Sequence, residues 1–167
     1  MMATRISVLP FAWIIVGLIS ACTSKGPDIP RIVDETTVFY SRNREELHML
    51  RDILLEHPQI SHVSDLDTNG VPHWDKFHQG TRDVYMSIKA RCESIGVKIA
   101  NVDRILTGPE AGKLLSVSFI VYSVGIVDGL AVQVVYVPTK SSVDALRKHG
   151  LVRMTEDDDW YVTGNID

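Results

Sequence analysis

Apolar and polar positions change period several times along this chain, and the changes mark its elements. An apolar run over residues 6–19 comes first. Over residues 44–56, Leu47, Leu50, Ile53 and Leu54 form one stripe at helical spacing. Asn43 stands at the cap position, and Glu46 three residues on could complete a capping box. Pro58 closes this helix, because the residue before a proline avoids the helical region. Residues 60–66 alternate loosely, as a short strand does, and Asp67-Thr68-Asn69-Gly70 reads as a turn. A second stripe of Phe77, Thr81, Val84, Ile88, Cys92 and Ile95 predicts a helix over residues 74–94, with Gly96 as its stop.

Beyond Gly96 the pattern becomes that of strands. Val97, Ile99, Val102 and Ile105 mark one strand over 97–106, and residues 114–127 are rich in Val, Ile, Phe and Tyr. Asp128-Gly129 is a two-residue turn that closes a tight hairpin, since glycine takes a positive φ cheaply. Residues 130–137 return as the partner. Both arms are apolar at nearly every position, which places this hairpin at the centre of a sheet. Ser141 or Ser142 starts a short helix through His149, with Gly150 as its C-cap, and Trp160-Tyr161-Val162 is a final strand. Helices come first and strands later. The predicted fold class is therefore α+β: a mostly antiparallel sheet of about four to five strands, with two N-terminal helices packed on one face.

The opening of the chain has a different logic. Met1 to Thr4 precede a single charge, Arg5; the apolar run follows, and then Ser20-Ala21-Cys22. This is the layout of a secretion signal. At about 14 residues the run is shorter than the ~20 a spanning helix needs, and Pro10 weakens it further as a permanent span. Ile19-Ser20-Ala21-Cys22 resembles the lipobox of bacterial lipoproteins, an aliphatic residue and two small residues before an obligatory cysteine. The resemblance covers only the signal and the first mature residue. It implies that residues 1–21 are removed, that Cys22 receives a diacylglyceryl group on its thiol, and that its new amino group is acylated. More than one acyl chain gives stable anchoring, whereas a single chain is marginal. Thr23 stands where the family often has an Asp for inner-membrane retention, so the resemblance implies outer-membrane sorting. Residues 22–34 hold Ser24, Lys25, Gly26, Pro27, Asp28 and Pro30 and read as lipidated N-terminus and tether; residues 35–167 read as one globular domain.

Composition narrows the function classes. Hydrophobic residues make up 45% and charged residues 23%, the balance of an ordinary globular protein. The net charge is −4 and falls to −5 without Arg5, which argues against nucleic-acid binding, since phosphate contacts need clustered Lys and Arg. The acidic residues are dispersed except for Glu156-Asp157-Asp158-Asp159. With Cys22 lipidated, Cys92 lacks a disulfide partner; its place on the second stripe predicts an inert, buried thiol. A Cys22–Cys92 disulfide is the competing reading, which lipidation would exclude.

Motifs for chemistry are sparse. Asp65-Leu66-Asp67-Thr68-Asn69-Gly70 matches the opening of a calcium loop, but the twelfth position, which needs a bidentate Glu, is Lys76. His73, Asp75 and His78 cluster without an H-E-x-x-H pattern or a Cys ligand, and only the fold could bring His62 to them. The segment Gly108-Pro109-Glu110-Ala111-Gly112-Lys113 is too short for a phosphate loop, and Leu114 replaces the magnesium-binding hydroxyl; it reads as a hairpin loop. There is no nucleophile elbow and no dinucleotide fingerprint. The expectation is a lipoprotein without metal, cofactor or catalytic residues, acting as a protein-binding module such as an immunity or inhibitor protein. A structural or assembly component of the envelope or of a secretion system is the alternative.

Overall fold

The computed structural model describes residues 27–64, 74–107, 109–124, 130–139, 143, 147 and 150–165. Helix α1 (Ile29–Glu56) is capped by Asp28, whose side chain accepts from the Arg31 amide. It starts well before residue 44, so residues 29–34 belong to it rather than to a tether. Its first half was hard to read as helix because Pro30, Ile32, Val33, Thr36, Thr37 and Val38 are poor helix formers. The Thr36 and Thr37 hydroxyls turn back onto the carbonyls of Ile32 and Val33. Asn43 does not begin a helix. It sits inside α1 at φ −113° and ψ 17°, and its side-chain amide donates to the Phe39 carbonyl, kinking the helix there. Glu46, free of any capping duty, pairs with Arg91 of the second helix.

Strand β1 (His62–Ser64) is followed by a 3₁₀ turn (Trp74–Lys76) and helix α2 (Gln79–Ile95). The expected helix from residue 74 is thus broken at Phe77–His78, where His78 is extended with ψ 159°. The break turns Trp74 back onto Tyr85, 5.3 Å away and edge-on. The buried stripe of α2 is centred on Tyr85, Ile88 and Cys92, while Phe77, Val84 and Ile95 pack at its margins. Gly96 ends the helix at φ +84°, a conformation only glycine takes without strain.

The sheet has six strands, not four or five: β2 (Ile99–Arg104), β3 (Leu114–Val124), β4 (Leu130–Tyr136), β5 (Gly150–Met154) and β6 (Trp160–Asn165) join β1 in the order β1-β2-β3-β4-β6-β5. Every neighbouring pair is antiparallel. The β3–β4 hairpin is central, as its apolar arms required, although Asp128-Gly129 lies outside the described residues. The segment before Lys113 is indeed a hairpin loop, in which Gly112 at φ +86° donates its amide to the Ile105 carbonyl. The strand that the sequence pattern does not reveal is β5, whose first residue, Gly150, fits a helix C-cap as well. Of the helix expected before it, only Val143 and Arg147 are described, and both are helical.

Period-two alternation divides the sheet into two faces. Val63, Ala100, Val117, Phe119, Val134, Trp160 and Val162 join one core with Val33, Tyr40, Leu47, Leu50 and Leu54 of α1 and Tyr85, Ile88 and Cys92 of α2. On the opposite face Val135, Val137 and Tyr161 form a smaller cluster closed by Val143. Burial pushes the Cys92 thiol up to about 12, with help from the nearby Glu46 and Glu93 carboxylates.

Two expectations follow from this packing. A Cβ at Gly164 would lie 2.9 Å from a methyl of Ile29 and 3.1 Å from one of Val33, so Gly164→Val should lower unfolding free energy by about 1 to 3 kcal/mol in denaturant titrations. Gly80, on an open helix face, is the control: Gly80→Ala should raise stability by about 0.4 to 1 kcal/mol. In a Cys22→Ser background, Cys92 should react slowly with a thiol reagent in the native protein and rapidly in denaturant; fast native labelling would refute its burial.

Candidate functional site

A dense polar cluster lies where α1 meets the turn between β5 and β6. Tyr40, Arg44 and His48 recur every fourth residue and so share one face of the helix. All three converge on Asp157. Its carboxylate accepts from the Tyr40 hydroxyl and from two nitrogens of Arg44, Nε at 2.7 Å and one terminal nitrogen. His48 Nε2 lies 3.1 Å from the Tyr40 oxygen and 3.4 Å from Asp157 Oδ2. The turn is shaped for this role: Thr155 Oγ1 accepts from the Asp157 amide and donates to the Trp160 carbonyl, and the Tyr161 hydroxyl donates to the Asp158 carbonyl.

Beneath the cluster is Trp160, fully buried. The His48 ring stacks on it at 4.8 Å and 8°, and Tyr40, Phe119 and Tyr136 surround it. The Arg51 guanidinium lies over the Tyr136 and Trp160 rings at 4.8 and 5.7 Å and pairs with Asp52. Trp160 Nε1 has no partner among the described residues.

Burial alone would push the Asp157 carboxyl up, but the hydrogen bonds from Tyr40 and Arg44 and the Arg44 charge outweigh it and hold the group below its ordinary value. Burial, reinforced by Asp157, raises the Tyr40 phenol well above its usual range, and Asp157 likewise raises Arg44. At neutral pH the trio is therefore a fixed donor, a fixed cation and a fixed anion. That arrangement suits a clasp between helix and hairpin more than proton transfer, which needs a pKa near the working pH.

Beside the clasp, a broad open groove of about 1090 Å³ follows the solvent side of α1 from Ser41 to Glu56, with Glu156 on its rim. Glu46 and Asp52 in its wall are paired with Arg91 and Arg51. Met49 is 41% exposed within it.

The residues singled out in sequence fall elsewhere. Cys22, the Asp65–Gly70 loop and His73 lie outside the described residues. Asp75, Lys76 and His78 are exposed before α2. His62 is on β1, its Nδ1 2.6 Å from Asn101 Oδ1. Among the described residues, no three His, Cys, Asp or Glu side chains are placed to hold a metal. Sequence reasoning missed the clasp. Its visible signals were the four-residue spacing of Tyr40, Arg44 and His48 and the acidic run at Glu156; their meeting across 117 positions was not readable. No family model, curated protein or solved structure matches the chain, so the functional reading rests on its own residues.

Asp157→Asn should cost about 2 kcal/mol near neutral pH, since it replaces charge-assisted bonds at a largely buried carboxylate. A lowered folded-state pKa means that the unfolded chain binds the proton more readily. The stabilisation is present above the unfolded value and vanishes as pH falls through the folded one. The stability gap between wild type and variant should hold from about pH 7 to about pH 5 and close below about pH 4. A gap independent of pH would contradict the assignment.

Proposed function

We propose that this chain is a lipoprotein anchored through Cys22, facing the periplasm and probing it for a protein partner, in the manner of an immunity or inhibitor protein. The observation that carries the reading is Ile19-Ser20-Ala21-Cys22 directly after an apolar run and a lone Arg5. Thr23 after the cysteine supports the outer membrane as the site of anchoring. No helix among the described residues is long and apolar enough to cross a membrane. With Asp28 capping α1, only residues 23–27 separate the anchor from the folded part. Six extended steps reach at most about 20 Å, which keeps the domain close to the lipid surface. A binding role is supported by the open groove on α1, built from a rigid helix and a clasped turn.

The test is chemical. Only a thiol accepts the diacylglyceryl group, and the membrane affinity comes from that lipid. Cys22→Ser should leave the membrane fraction, or accumulate as the unprocessed precursor. A serine variant that fractionates and migrates like the original would overturn the proposal.

A further inference from the structure

We infer that the groove along α1 is the docking surface and that its occupant is a basic segment of a protein, with Lys or Arg side chains flanking one aliphatic side chain. This rests on the protein-binding reading above and specifies its partner.

Charge complementarity carries the argument. Five carboxylates line the groove, on Glu45, Glu46, Asp52, Glu56 and Glu156, against the two cations of Arg42 and Arg44. Arg44 is committed to Asp157, Glu46 to Arg91 and Asp52 to Arg51. Among the described residues, Glu45, Glu56 and Glu156 have no ion pair; Arg42 and, beside Glu156, the already paired Arg44 are the cations of the groove that oppose them. A groove with an excess of one sign concentrates its field and draws in the opposite charge. An anionic partner would be repelled, and a wholly apolar one would strip water from carboxylates without replacing it.

The spacing selects a polypeptide over a point ion. Glu45, Met49, Asp52 and Glu56 lie on one face of the helix, and Glu45 to Glu56 spans about 16 Å at the helical rise. The free carboxylates are spread along the groove rather than gathered, as a metal would require. Met49 lies between them, partly exposed, its sulfur 3.2 Å from Arg91 Nη1. A flexible thioether there adapts to an aliphatic side chain. The clasp holds Glu156 against the helix, so the surface is ordered before a partner arrives.

The experiment uses the full lipidated chain in non-ionic detergent and a fluorescein-labelled peptide of Lys-Ala repeats with one central Leu. The Lys peptide should bind by anisotropy, and its Glu counterpart should not. E45Q/E56Q/E156Q should weaken binding about tenfold and Met49→Ser severalfold. The three glutamates make no ion pair in the fold, and Glu156 acts on Arg44 only through its charge, so the variant should melt within a few degrees of wild type. D83N/E93Q/E110Q removes the same charge away from the groove and should keep its affinity within about twofold. No binding of the Lys peptide, or equal losses in both triple variants, would overturn the assignment. Because binding in detergent does not depend on membrane fractionation, failure here leaves the Cys22 result standing, and the converse also holds.

Discussion

The carboxylate of Asp157 is the point at which the two halves of this fold are joined. It comes from a five-residue turn, yet it takes the donors of a helix that begins 128 positions earlier. Without it, Arg44 would lose its acceptor, Tyr40 would keep only His48 within hydrogen-bond distance, and the side-chain tie between the last hairpin and α1 would be gone. With it, Trp160 is roofed by His48 and Tyr40, and the helix can lie across the sheet on aromatic rings. The ionic part of this contact is partly exposed and worth little as attraction alone. Its weight comes from the hydrogen bonds and from the rings packed beneath them.

The kink at Asn43 is the second constraint. A straight helix of 28 residues would run about 42 Å and leave the sheet behind. Bending allows the first half to follow β6, where Ile29 and Val33 close on Gly164, and the second half to lie over Trp160 and Tyr136 at the other end of β6 and β4, with Leu47, Leu50 and Leu54 in the core.

What could be read from the chain was whatever depends on neighbours in sequence. The stripe of α2, the stop at Gly96, the central hairpin and the terminal strand all follow from local periodicity. The early start of α1 escaped because β-branched residues and a proline obscure a helix whose stability comes from burial against the sheet. β5 escaped because its glycine fits a helix end as well as a strand end. The clasp escaped for a different reason: no local rule says which carboxylate in an acidic run meets which arginine. The resemblance of Ile19-Ser20-Ala21-Cys22 to a lipobox, in contrast, is read from a linear string.

The sheet order β4-β6-β5 has a consequence for how the protein comes into being. β6 follows β5 in the chain, yet it lies between β5 and β4 and bonds to both. Until residues 160–165 emerge, β4 has one edge bare, β5 has no partner, and the helix face lacks its tryptophan. N-terminal segments appear first during synthesis, so the sheet closes only when its last strand arrives. On the export route proposed above, a topology that postpones its own completion keeps the chain threadable until the passage is done.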